Sequence, residues 1–168
     1  MNIHDYHEPD KIVKLENLKI GDIGYFQKGI MIAFDADDSF EEIKNEHGAV
    51  CVSFYVENDG GFSYNIERHL SDWVYFPVNP IVFLINNNAR QTSINSNPKR
   101  GSHPIYLDYD GRLLLSFNHW KFDLKSKQIL SGRFDTAYLM RINDWMFAEN
   151  NGDTIVPILH VRSEQESK

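Results

Sequence analysis

The chain has 168 residues, a formal net charge of −7 and a hydrophobic content of 42%, including 11 Phe, 8 Tyr and 3 Trp. So much large apolar surface excludes a disordered chain and supplies one domain with a sizeable core, or two small ones packed tightly. The acidic balance argues against a duplex-binding surface, which needs clustered Lys and Arg, and the single cysteine, Cys51, excludes an internal disulfide and any multi-cysteine zinc site.

Residues 1–10 are polar and end in Pro9-Asp10, the composition of a tail. His4, His7 and Glu8 offer metal-ligating atoms there, but a tail without a preorganised partner is a poor site. From Lys11 the pattern becomes strand-like, with Val13 and Leu15 alternating with Lys14 and Glu16. Gly21-Asp22 punctuates before Ile23–Phe26, and Gln27-Lys28-Gly29 has the form of a hairpin turn feeding Ile30–Phe34, an apolar run of buried-strand length.

The next stretch is acidic: Asp35, Asp37, Asp38, Glu41, Glu42 and Glu46 crowd together. Ser39-Phe40-Glu41-Glu42 has the capping-box form, predicting one short helix near 39–46 that Gly48 would end. Asp35, Asp37, Ser39 and Glu46 also fall at positions one, three, five and twelve of a calcium loop. Position six of that loop must turn sharply and is held here by Phe40, so no metal is expected.

Ala49–Val56 is β-branched and aromatic, a strong strand signal, with Cys51 inside it as a buried small hydrophobe. The turn Glu57–Gly61 leads to the alternating Phe62, Tyr64 and Ile66, a hairpin partner. Trp73–Phe76 begins another strand flanked by Pro77 and Pro80, and the apolar Ile81–Ile85 reads as a central one. Residues 87–102 are rich in Asn and Ser and read as a polar loop, either an unstructured join or a contact surface.

Beyond Pro104 come Ile105–Asp108, the turn Tyr109-Asp110-Gly111 and Leu113–Phe117, a hairpin, followed by the alternating Trp120, Phe122 and Leu124. Gln128–Leu130 pairs back, Phe134–Ile142 fits strand or helix by pattern and is assigned to strand by the repeat described next, and Thr154–Val161 is a last strand before the charged tail 163–168. The segment from Gly60 to Tyr75 is echoed 72 positions later from Gly132 to Phe147, with Gly, Phe, Asp and Trp shared. A weaker outer match sets Tyr25, Gly29, Ile32 and Phe34 against Tyr106, Gly111, Leu114 and Phe117. A duplicated unit and two unrelated strand-turn-strand segments are both open readings.

The predicted fold is therefore mainly β, an antiparallel sandwich or barrel-like single domain over 11–162. Its two readable half-units are 11–86 and 103–162, joined by 87–102. His119 with Asp123, and His69 with Asp72, are the available base–carboxylate pairs, but at those spacings they fit capping or solvation better, so catalytic residues stay unassigned and no cofactor is expected. Asp72 and Asp144 read as turn residues, with Trp73 and Trp145 plugging the core rather than presenting a sugar-stacking face. No apolar run reaches membrane-spanning length and the first residues lack a signal-peptide core, so a cytoplasmic protein without a membrane partner is expected. Two functions remain. One is a non-enzymatic binding module, an inhibitor or immunity-type protein, that docks Asp35, Asp37, Asp38, Glu41, Glu42 and Glu46 on a basic partner. The other is a carbohydrate-binding or hydrolytic protein with a cleft between the halves.

Overall fold

The computed structural model describes residues 13–27, 29–68, 74–77, 80–85, 90–93, 103–108, 110–117, 120–131, 138–150 and 152–162. Its first half supplies β1 (Val13–Lys14), β2 (Ile23–Phe26), β3 (Gly29–Phe34), β4 (Val50–Val56), β5 (Phe62–Ile66), β6 (Val74–Pro77) and β7 (Pro80–Ile85). The second supplies β8 (Arg90–Ser93), β9 (Ile105–Leu107), β10 (Leu113–Phe117), β11 (Trp120–Asp123), β12 (Gln128–Leu130), β13 (Tyr138–Ile142), β14 (Asp144–Asn150) and β15 (Ile155–Arg162). These form antiparallel sheets that do not close into a barrel, so the mainly-β, sandwich-like expectation is met.

The first sheet runs β1-β6-β2-β3-β4-β5 and the second, read from its β8 edge, β8-β13-β9-β10-β11-β12. Each strand of the second sheet occupies the place of the strand seven earlier in the first. In both, a four-strand meander is followed by a strand that returns beside its first member, and the strand that precedes the meander adds to that returning one. The third sheet, β15-β14-β7, pairs β7 antiparallel with β14, again seven apart.

This strand order places the weak outer match on corresponding strands: Tyr25 and Tyr106 lie on β2 and β9, and Ile32 and Leu114 on β3 and β10. The stronger 72-position echo sets Val74 and Tyr75 of β6 against Met146 and Phe147 of β14, although the place of β6 is taken by β13. Gly132–Phe134, Trp73, Asp72 and His69 lie outside the described residues.

One core joins all three sheets. Ile30, Ile32, Phe34, Val50, Val52 and Phe54 from the first meet Ile105, Leu115, Phe122, Ile129 and Ile142 from the second, with Trp145, Phe147, Leu159 and Val161 from the third. The rings interlock at favourable centroid spacings, Phe34–Phe122 at 5.4 Å, Phe54–Phe122 at 5.3 Å and Phe62–Trp145 at 5.2 Å. β3 is apolar at every position because both its faces are covered: Met31 and Ala33 point the other way, to a second cluster with Leu15, Leu18, Phe26, Ala49 and Cys51.

Several elements differ from the sequence expectation. Leu15 leaves the first strand after two residues and enters a 3-10 turn, Leu15–Asn17, because its side chain and that of Leu18 roof the outer face of the first sheet. Asn45 holds that roof: its amide donates to the carbonyls of Leu15 (3.1 Å) and Leu18 (2.7 Å) while its oxygen accepts from His47 and Ala49. β7, apolar enough to read as central, pairs among the described residues with β14 alone. Residues Arg90–Ser93, inside the polar stretch 87–102, form a strand against β13.

Candidate functional site

The acidic stretch leaves the end of β3 and crosses to the second sheet. Asp35 uses its backbone for this, donating to the Lys127 carbonyl (2.8 Å) and accepting from the Ile129 amide (2.8 Å), with Gln128 as its parallel bridge partner. A 3-10 helix follows at Asp38–Ile43. Its cap is Asp37, not Ser39: the Asp37 carboxylate accepts from the Ser39 amide at 3.0 Å, from the Ser39 hydroxyl, and from Ser131 at 3.2 Å. These bonds to the charged form hold the Asp37 carboxyl below its ordinary value, the Ser39 hydroxyl contributing most.

Phe40 anchors the segment. It is buried and its ring sits 4.6 Å from that of Trp120, which fixes the helix against the second sheet and turns the remaining side chains outward. Asp35, Asp37, Asp38, Glu41, Glu42 and Glu46 are all exposed. Glu41 pairs with Lys44 at 2.9 Å, and this bond raises the Lys44 ammonium above its usual value. Among the described residues no hydrogen bond or ion pair occupies the carboxylates of Asp38, Glu42 or Glu46. The result is an anchored face of negative charge, suited to attracting cations at long range. Among the described residues no group of three or more His, Cys, Asp and Glu is placed to hold a metal, and no helix is long and apolar enough to cross a membrane.

The described ones among the other singled-out residues bond within the fold. Asp123, almost fully buried, accepts from the Lys125 amide (3.0 Å), the Ser126 amide (3.3 Å) and the Ser126 hydroxyl (2.6 Å), so it ties the β11–β12 turn. His119, its proposed partner, lies outside the described residues. Trp145 is wholly buried and donates from Nε1 to the His103 carbonyl (2.9 Å), so its indole plugs the core and offers no stacking face. Asp144 bonds His160 Nε2 at 2.6 Å across the β14–β15 hairpin rather than a backbone amide of its own turn.

Sequence reasoning missed this His160–Asp144 pair. The two are 16 positions apart and meet only because the hairpin register, with its bulge between Phe147 and Ala148, brings them together. It missed equally the link from Tyr25 on β2 to Glu149 on β14 (3.4 Å), where burial and then the Glu149 charge push the phenol up to about 12. Comparison with known proteins finds no matching family model, no similar curated protein and no similar solved structure.

Proposed function

We propose that this chain is a non-enzymatic protein-binding module, of inhibitor or immunity type, acting in the cytoplasm by docking its acidic face on a basic partner. The observation that supports this reading is the anchored 35–46 segment: six carboxylates exposed together, fixed by Phe40 and the Asp37 cap, in a chain of net charge −7. Such a field raises encounter rates and selects partners by charge, while each exposed pair adds only about 0.2–1 kcal/mol of affinity.

The test reverses Asp38, Glu42 and Glu46 to Lys, positions whose carboxylates bear no bond the fold uses. Capture of a basic partner from the native host should fall about tenfold or more and should weaken steeply as salt rises from about 0.05 M to about 0.5 M. Capture that is unaffected by the reversals and insensitive to salt would sink the reading.

A further inference from the structure

A cleft of about 180 Å³ opens on the outer face of the first sheet, lined by Phe26, Gln27, Gly29, Ser53, Tyr55 and Glu67 together with Phe54 and Asn65. It exists because position 29 has no side chain. A Cβ there would fall 1.9 Å from the Phe54 carbonyl oxygen and 3.1 Å from the Tyr55 Cβ, so β3 and β4 approach too closely for any residue but glycine. Phe26 lies opposite Gly29 in the register, and Ser53 lies opposite Asn65, which puts the lining side chains other than that of Phe54 on one face. The rim residue Gln27 holds φ at +50°, a conformation that costs a non-glycine residue about 1 kcal/mol or more.

At the polar end, Glu67 is held in place by its neighbours. Its Oε1 accepts from the Ser53 hydroxyl (2.8 Å) and the Asn65 amide (2.9 Å), and its backbone amide donates to the Cys51 carbonyl (2.9 Å). Ser53 is itself buried, 5% exposed, so the bond that orients the carboxylate is shielded from water. Among the described residues no Lys or Arg pairs with Glu67, and its Oε2 carries no hydrogen bond.

We propose that this cleft receives the guanidinium of one arginine side chain on a partner protein. An oriented carboxylate with a free oxygen answers the guanidinium fork, and the half-buried Tyr55 ring supplies a cation–π wall, with the buried Phe26 as apolar floor, that suits its flat, weakly hydrated faces better than a compact ammonium. The volume is below the roughly 300 Å³ at which small-molecule sites begin, so it fits one side-chain head rather than a whole metabolite. The site does not depend on the 35–46 face, since Gly29 begins β3 and Phe34, at its far end, leads into the acids.

The test titrates ¹⁵N-labelled protein at low salt with acetyl-Gly-Arg-Gly-amide, with its lysine and citrulline counterparts, and with free L-arginine. The arginine peptide should give saturable amide shifts at Ser53, Tyr55, Asn65 and Glu67 with a millimolar midpoint. The lysine peptide should bind several-fold more weakly and the neutral citrulline isostere should not bind. Glu67→Gln keeps an acceptor for Ser53 and Asn65 and should weaken binding about tenfold; Tyr55→Leu should weaken it several-fold by a separate route. Reversing Asp38 and Glu42 should leave the midpoint unchanged within about twofold, which separates this site from the acidic face. Overturning results are the absence of saturable shifts, equal binding of the lysine or citrulline peptide, an unchanged midpoint in both Glu67→Gln and Tyr55→Leu, or free L-arginine binding ten times tighter than the capped peptide.

Discussion

Phe54 on β4 and Phe122 on β11 belong to different sheets, and their rings meet at 5.3 Å and 87°, an edge-to-face contact at the centre of the core. Both are fully buried. Truncating either to alanine removes the transfer energy of a phenyl ring and leaves a cavity, a loss of about 3–5 kcal/mol. For a chain of this length each kcal/mol lowers Tm by about 2–4 °C, so each single variant should melt about 6–20 °C below wild type. The informative quantity is the coupling. If the sheets share one core, the second truncation costs less than the first, and the cycle should return a coupling of about 0.5–1.5 kcal/mol. Urea unfolding followed by tryptophan fluorescence measures all four corners, with Phe54→Leu and Phe122→Leu replacing the alanines if those do not fold. Additivity within about 0.3 kcal/mol, or two separate transitions in wild type, would refute the single shared core.

The Cys51 thiol is pushed up to about 12, chiefly by burial and then by the charges of Glu67 and Asp22. Against its ordinary value of 9.0 its thiolate is about a thousandfold scarcer at pH 8, so a disulfide reagent should label native protein at least that much more slowly than protein in denaturant, and labelling on mixing would contradict the burial. His103 packs against Phe117 at 5.2 Å and Phe62 at 5.8 Å, and burial lowers its pKa below 6.5 despite the opposing charge of Glu57. The folded state therefore disfavours the imidazolium. Its contribution to stability is full above about pH 6.5 and is lost as pH falls through the folded pKa, at up to about 1.4 kcal/mol per pH unit. Urea unfolding at several pH values should show this slope in wild type and a smaller one in His103→Phe; a His103 pKa at or above 6.5 by NMR would disprove it.

What could be read from the residues was local. Alternation placed β5 and β11, the unbroken apolar run Ile30–Phe34 announced a buried strand, and the run around Cys51 announced its burial. The acidic stretch was visible, but its cap was misplaced by two residues. Ser39 and Asp37 both suit a cap, and Asp37 takes the role because its carboxylate also reaches Ser131, 94 positions away. The Gly29 cleft was hidden for the same reason: its walls come from four strands, and only the register of β2, β3, β4 and β5 assembles them.

The recurring strand order limits where partner recognition is expected. The echo around Trp145 does not follow this order, since it sets β6 against β14 whereas the place of β6 is taken by β13. Pairing order is the stricter comparison, and it makes β4 and β5 the counterparts of β11 and β12. On the outer face of the first sheet that pair presents Ser53, Asn65 and Glu67 over a glycine floor, whereas in the second sheet Lys121 lies opposite Leu130 and Asp123 opposite Gln128. Lys121 is buried there, which lowers its pKa, and Asp123 is spent on its own turn. Among the described residues, an oriented carboxylate with an open oxygen is found on the first of these outer faces, and the buried Asp123 of the second is already bonded. The two sheets share a plan but not a binding surface, so a single arginine should occupy each chain.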